Sequence, residues 1–247
     1  MIGPLNGKKI NGVSQNGALI NGNAGAAIHP GADLLIRRYQ PRDRDAIRRL
    51  CCDTGFLGNP IEAIFTDRDV FADLFTRPYL DFESRWAWVA ESPEGVAGYL
   101  LGSVSPLFHY TLLFAGFQTT LKMLRRAALG RYKTRPRDAR FVRWVFTSGY
   151  REQPRHPDRA AHLHLNVDKA HRGLGLARRL WHAFETELRT ADVQRCYGAF
   201  FSFPRRRPEQ VYSRFGFSVF DRKPTTLFQP EISEPVEIVC VEKQIGR

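Results

Sequence analysis

Two glycines follow an arginine in the stretch Arg172-Gly173-Leu174-Gly175-Leu176-Ala177. An alternating run with strand character, 163–167, precedes this stretch, and a segment with helical periodicity follows it. Glycine allows close backbone approach, and the free N–H groups at the start of a helix attract anions. The stretch therefore predicts a turn that binds a diphosphate, with Arg172 as a further phosphate ligand. A plain strand-to-helix turn is the alternative.

Polar side chains alternate along the strand that leads into this turn. A period of two places His162, His164 and Asn166 on one face of the strand, and leucine and valine side chains on the other. An amine must lose a proton before or during nucleophilic attack, and imidazole titrates near neutral pH. His162 and His164 are therefore candidates for a general base, acting directly or through water; packed histidines without a catalytic role are the alternative. The sequence offers no third ligand for a zinc site.

A tyrosine stands near the end of the chain in the element Tyr212-Ser213-Arg214-Phe215-Gly216-Phe217. A phenol can donate a proton or a hydrogen bond to a leaving group, and a thiolate leaves more easily when it receives one. Tyr212 is therefore a candidate general acid. A core tyrosine beside a turn is the alternative.

The turn and the tyrosine element together resemble the GNAT acetyltransferase superfamily. The turn is similar to its acyl-CoA loop, Arg/Gln-x-x-Gly-x-Gly/Ala, and the second element to the Tyr-x-x-x-Gly-Phe that closes a GNAT domain. The resemblance covers residues 35 to 243. It implies that the loop holds the diphosphate of acetyl-CoA, that the strand ending at Asn166 and Val167 pairs with the pantetheine arm, and that Tyr212 protonates the thiolate. The Val167 N–H takes the position that holds the thioester carbonyl.

Two departures from the family pattern bear on activity. The His-x-His strand is similar to that of the arylalkylamine acetyltransferases and of bacterial relatives of the O-GlcNAcase acetyltransferase-like domain, yet those relatives often carry Asp where Asn166 stands. The family also commonly places Asn and Ala before the tyrosine, where this chain has arginines and Pro208. A domain that binds acyl-CoA without catalysis is therefore an alternative.

The resemblance implies an acetyl-CoA-dependent N-acetyltransferase without a metal. An amine on a small molecule or glycan would attack the thioester directly in a ternary complex, with no covalent enzyme intermediate. O-acetylation of a sugar or other small molecule, or transfer of a longer acyl chain, is the enzymatic alternative. The sequence carries no indication of oligomeric state.

The elements around these residues predict a mixed α/β fold, with a central twisted sheet flanked by helices. We expect strands at 35–39, 86–91, 96–103, 161–167, 193–203, 219–220 and 236–241, and helices from about residue 44, over 174–188 and over 209–214.

A long insertion, 104–160, separates the third predicted strand from the fourth. A helical apolar stripe comes first, a basic run follows, and residues 141–146 are expected to add a strand. The stripe has three explanations: core packing, a basic amphipathic surface over 107–137 that contacts an anionic membrane or glycan, and a lid on the acceptor site. Its members are Leu107, Tyr110, Phe114, Phe117, Leu121 and Leu124.

The first 33 residues repeat Asn-Gly at intervals of five and contain few large apolar side chains. We predict a flexible tail over 1–33 and one GNAT domain over 34–247.

The composition of the chain indicates which classes of partner and which cellular compartment suit it. The chain has 37 Lys and Arg against 25 Asp and Glu, a net charge of +12, which suits a polyanionic partner such as nucleic acid, a membrane or coenzyme A. No nucleic-acid-binding module is recognisable, so we expect no specific nucleic-acid partner. Four cysteines without a CxxC motif indicate a reduced chain, and no apolar run has membrane-spanning length. These features favour a cytoplasmic protein.

Overall fold

The computed structural model describes residues 34–105 and 107–246. The predicted tail, 1–33, lies outside the described residues. The strands are β1 (Leu35–Arg38), β2 (Ala87–Ser92), β3 (Gly95–Ser103), β4 (Ala161–Val167), β5 (Arg195–Ser202), β6 (Ser218–Thr225) and β7 (Val236–Gln244). The helices are α1 (Arg44–Thr54), α2 (Arg68–Phe82), α3 (Phe108–Ala128), α4 (Pro136–Thr147), α5 (Leu176–Thr190) and α6 (Glu209–Ser213).

Seven strands form one mixed sheet in the order β1-β2-β3-β4-β5-β7-β6. All neighbouring strands are antiparallel except β4 and β5, which run parallel. A parallel pair needs a crossover connection, and α5 provides it. The mixed sheet with flanking helices confirms the predicted fold class.

Helices cover both faces of the sheet. On one face, α1 and α2 bury Ile47 and Phe71 against Tyr99 and Leu101 of β3, and α3 and α4 add Met123 and Phe141 to the same cluster. On the other face, α5 buries its apolar stripe against β3, β4 and β7. Full burial of a Leu or Phe side chain contributes about 1.5–3 kcal/mol, so these two clusters account for much of the stability.

One glycine sets the distance between α5 and the sheet. A Cβ on Gly102 of β3 would lie 2.4 Å from the Phe184 ring, well inside van der Waals contact. Gly102 therefore allows the helix that follows the glycine loop to pack closely on the sheet.

The predicted strand over residues 141–146 is wrong, because these residues belong to α4. Pro136 occupies the first position of this helix, where its missing N–H costs nothing. Phe141 stacks on Phe65 with ring centroids 4.1 Å apart, and the apolar residues at 144 and 145 pack on the same cluster. The run of aromatic and β-branched residues has strand propensity, but tertiary packing of one helical face decides its conformation.

The apolar stripe of α3 is not buried in the core. Its side chains are about half-exposed, while the opposite side of the helix packs on the domain. Among the described residues, no helix is long and apolar enough to cross a membrane.

Candidate active site

The glycine loop adopts the conformation that its sequence predicts. Gly173 and Gly175 have φ of +85° and +75°, in the left-handed region that other residues rarely adopt. Gly175 is the residue immediately before α5, so the N–H groups of the first helical turn have no partners within the helix. No heavy atom lies within 4 Å of where a Cβ would stand on either glycine. The open space and the free amides together suit an anion.

The other loop residues contribute mainly through their backbone. Leu176, the first residue of α5, is buried in the cluster between this helix and the sheet and is 1% exposed, whereas Leu174 is 38% exposed. Ala177 lies in the first turn of α5. The side chain of Leu176 therefore anchors the helix, and only its N–H group is available to a ligand.

Arg172 ties the loop to two other segments. Its Nε donates to the Val167 carbonyl, 3.3 Å away, and its Nη2 donates to the Gly58 carbonyl at 3.0 Å. Gly58 lies in the turn after α1, so the guanidinium spans from the end of β4 to that turn.

β4 and β5 diverge beside this loop. The two strands pair only at residues 161–163 with 196–198, although β5 continues along β7 to Ser202. Beyond Leu163, β4 therefore has no strand neighbour on its β5 side among residues 34–105 and 107–246. The Asp168 N–H donates to Ala97 of β3, and backbone groups alternate in direction along a strand, so the Val167 N–H faces the opening. A linear chain with amide groups can pair with β4 there, in the place of a strand.

Arg206 stands on the β5 side of this opening and was not singled out from the sequence. Its Nη1 donates to the Phe201 carbonyl at 3.3 Å. Partial burial and the positive charge of Arg172 lower the pKa of Arg206. The sequence shows only a run of three arginines at 205–207, from which no pattern selects the middle one.

Both histidines of β4 face the α2 side of the sheet. His162 Nδ1 lies 2.5 Å from Tyr79 Oη, and the His162 ring packs among Tyr79, Phe108 and Tyr197. Burial lowers the pKa of His162 to about 3, helped by the nearby charges of His164 and His156. The imidazole is therefore neutral at physiological pH.

His164 is fixed by hydrogen bonds at both ring nitrogens. Nδ1 lies 3.1 Å from the Phe75 carbonyl, which can only accept, so Nδ1 carries the proton. Nε2 then accepts from Asn166 Nδ2 at 3.1 Å, and the same amide donates to Tyr99 Oη at 2.7 Å. Burial lowers the pKa of His164 to about 4. The Asn166 side chain thus serves this network, and its backbone lies along β4.

Tyr212 approaches from the opposite face of the sheet. Its ring stacks on Phe200 of β5 at 4.9 Å and meets Phe215 and Phe217 edge-on. Burial raises the pKa of Tyr212, so its hydroxyl keeps its proton at neutral pH. Among the described residues, this hydroxyl has no hydrogen-bond partner. Tyr212 therefore carries a proton that is available for donation.

The four cysteines are unsuited to nucleophilic catalysis. All four are free and buried. Burial raises the pKa of Cys51 and Cys240 to about 12 and that of Cys52 to about 11, and it also raises the pKa of Cys196. A buried thiol at neutral pH is a poor nucleophile. Within the part of the chain that the structure describes, no group of His, Cys, Asp and Glu side chains has the arrangement of a metal site.

Known proteins share both the sequence and the fold of this region. Residues 148–226 match the family model of the acetyltransferase (GNAT) domain. The structure of the protein SsHAT superposes with a TM-score of 0.55 at 19% identity, over 87% of this chain and 99% of that one. The N-acetyltransferase from Staphylococcus aureus Mu50 superposes with a TM-score of 0.52 at 13% identity, over 87% and 100%. No curated protein matches the sequence significantly.

The family match spans the glycine loop, the diverging strands and Tyr212, and the fold likeness extends over the rest of the described chain. The chain thus carries an acetyltransferase domain of the GNAT family, which the family model matches over residues 148–226.

Proposed function

We propose that this protein is an N-acetyltransferase that transfers the acetyl group of acetyl-CoA directly to an amine on a small molecule or glycan. The divergence of β4 from β5 carries the proposal. It leaves the Val167 amide without a strand partner, at the end of the strand that leads into the glycine loop. The pantetheine arm would lie in this opening, with the diphosphate at Gly173 to Ala177. We assign the activity to residues 34–247, with 104–160 as an insertion.

The reaction follows from groups on both faces of the sheet. The amine nitrogen attacks the thioester carbon, and the carbonyl oxygen gains negative charge that the Val167 N–H stabilises. The C–S bond then breaks as the C–N bond is completed. Tyr212 donates its proton to the departing thiolate, and the proton lost from the amine passes to His162 through a relay of water molecules, since His162 and Val167 are five residues apart on β4.

His162 fits the role of base better than His164 does. Both ring nitrogens of His164 are engaged, so it has no lone pair to offer without breaking the bond from Asn166. In the His162 tautomer that donates from Nδ1 to Tyr79, Nε2 carries a lone pair and has no partner among the described residues. The neutral imidazole, favoured by burial, is the form that accepts a proton.

The test combines turnover with coenzyme binding. The full chain is incubated with acetyl-CoA and panels of amines, aminosugars and sugar alcohols, and free thiol and acetylated product are both measured. We expect amines to be acetylated. Product only with hydroxyl acceptors would support O-acetylation instead. Coenzyme binding in a thermal-shift assay, without product from any acceptor, would indicate a non-catalytic acyl-CoA-binding domain.

Tyr212→Phe separates catalysis from binding, because it removes only the hydroxyl. Coenzyme affinity should persist while turnover falls by about 10²-fold or more. If turnover is unchanged although the chemical step limits the rate, Tyr212 contributes only to packing.

A further inference from the structure

Helix α3 turns its apolar face toward solvent, whereas an ordinary surface helix turns its apolar face toward the core. Two of its three Lys and Arg side chains face the domain, where Lys122 lies 2.7 Å from Asp73 and Arg126 lies 2.6 Å from Asp67 on α2 and its N-cap. Met123 and Thr119 are fully buried on the same side. An amphipathic helix normally buries its apolar face, so these contacts force the apolar stripe of α3 outward.

The outward stripe is long and continuous. Its residues recur at spacings of three and four over the whole helix, and no charged side chain interrupts them before Lys122. Their exposed fractions are 60% for Leu107, 60% for Tyr110, 52% for Phe114, 67% for Phe117, 48% for Leu121 and 47% for Leu124. Leu113, at 64%, lies beside them. Because one aromatic side chain covers about 150–250 Å², the stripe presents several hundred Å² of apolar surface.

The stripe also extends beyond α3 itself. Phe82, at the end of α2, is 47% exposed and meets Phe114 edge-on at 6.1 Å. Two helices therefore contribute to one apolar surface, which we call the α3 face. It consists of the stripe, Leu113 and Phe82.

Unpaired cations follow the apolar stripe along the chain. Residues 95–137 contain no Asp or Glu. Within this stretch, Arg125, Lys133 and Arg137 are exposed, and among the described residues no carboxylate lies within ion-pair distance of any of them. The α3 part of this surface thus combines bulky apolar side chains with positive charge and has no acidic residue in its own sequence, and Asp81 beside Phe82 is paired with Arg44 and Arg77.

We propose that the α3 face is a docking surface for an anionic lipid bilayer. Aromatic and leucine side chains would enter the boundary between headgroups and acyl chains, and the three cations would bind lipid phosphates. A second copy of the chain fits less well. A parallel pair of α3 helices would bring the two basic ends together, and an antiparallel pair would offer the cations no acid.

Vesicle co-sedimentation of the full chain tests this proposal. We expect binding to vesicles of phosphatidylcholine mixed with phosphatidylglycerol, weaker binding to phosphatidylcholine alone, and a loss of affinity as salt is added. Phe117→Gln should weaken binding at least about tenfold, because a buried phenyl ring is lost. Lys133→Gln should weaken it about fivefold, the effect of one charge near an anionic surface.

Phe220→Gln is the matched control, because Phe220 lies on β6 and is also partly exposed, at 38%. It should bind vesicles like the wild type, and all variants should keep the wild-type melting temperature, since the changed side chains are solvent-exposed. Equal binding to both kinds of vesicle, or no binding to either, would overturn the proposal. So would a stable dimer in sedimentation equilibrium that Phe117→Gln dissociates and that does not bind vesicles.

Discussion

Tyr79 Oη and His162 Nδ1 are 2.5 Å apart, and this contact joins α2 to β4 beside the point where β4 leaves β5. Burial raises the pKa of Tyr79 well above its usual range and lowers that of His162 to about 3. Both groups are therefore neutral at physiological pH, and the hydrogen bond sets the orientation of the imidazole.

Replacement of each histidine by glutamine should separate their roles. His162→Gln should lower turnover by about 10²-fold or more while coenzyme binding persists, because the base is lost. His164→Gln is the matched control on the same strand and should cost less, since His164 has no free lone pair. Equal losses in the two variants, or no loss in either, would contradict the assignment of His162 as the base.

The pH profile should not show a histidine titration near neutrality. With the pKa of His162 at about 3 and that of His164 at about 4, both imidazoles are already neutral at pH 5. Any rise of turnover between pH 6 and 9 that persists in His162→Gln would then come from deprotonation of the acceptor amine. A limb near pH 6.5 that disappears in His162→Gln would mean that the imidazole titrates as an exposed histidine does.

The same pKa shift predicts acid sensitivity of the fold. In the unfolded chain His162 takes up a proton as pH falls through 6.5, whereas in the folded chain it does so only near pH 3. The unfolded state therefore binds more protons in this window, and the free energy of unfolding must fall as pH falls from 6.5 toward 3. Denaturant titrations at several pH values should show a shallower slope for His162→Gln. If the free energy of unfolding falls equally with pH in the wild type and in His162→Gln, the lowered pKa of His162 is contradicted.

Gly175 allows charge to be tested separately from backbone strain. Asn and Asp have nearly the same size, and both tolerate the left-handed region that Gly175 occupies. Gly175→Asp places a carboxylate beside the expected diphosphate and should weaken coenzyme A binding by about tenfold or more. Gly175→Asn should bind nearly as the wild type does. If both variants bind with wild-type affinity in calorimetry, the diphosphate lies elsewhere.

Arg206 should contribute to coenzyme binding together with Arg172. The positive charge of Arg172 acts on Arg206, so a bound anion would relieve the repulsion between them, and a hydrogen bond to a charged group is worth about 1.5–3 kcal/mol. Arg206→Gln should therefore weaken coenzyme A binding by about tenfold. Arg205→Gln is the control, because the Arg205 side chain pairs with Glu234 at 2.9 Å. An equal effect of both changes would point to long-range attraction rather than contact.

The sequence alone was enough to predict the order of the main elements and the glycine loop. Alternation along β4, helical spacing along α5 and the two glycines before it are local patterns, and each is dictated by backbone geometry within a few residues. For the same reason, Tyr212, His162 and His164 could be named as candidates before the structure was known. The strand predicted at 141–146 failed because local propensity was outweighed by the stacking of Phe141 on Phe65, which is distant in sequence.

Only the tertiary structure decided how these candidates differ from one another. The bond between His164 and Phe75, the bond between His162 and Tyr79, and the bond from Arg172 to the Gly58 carbonyl all join segments far apart in the chain. Likewise, the stripe on α3 has the spacing of a core helix. It faces outward because Lys122 and Arg126 pair with carboxylates on α2 and its N-cap, and these half-buried ion pairs, together with the buried Met123, fix the rotation of the helix. Apolar residues at helical spacing predict a helix with one apolar and one polar face. Which of the two faces is buried depends on the residues of other elements that contact the helix.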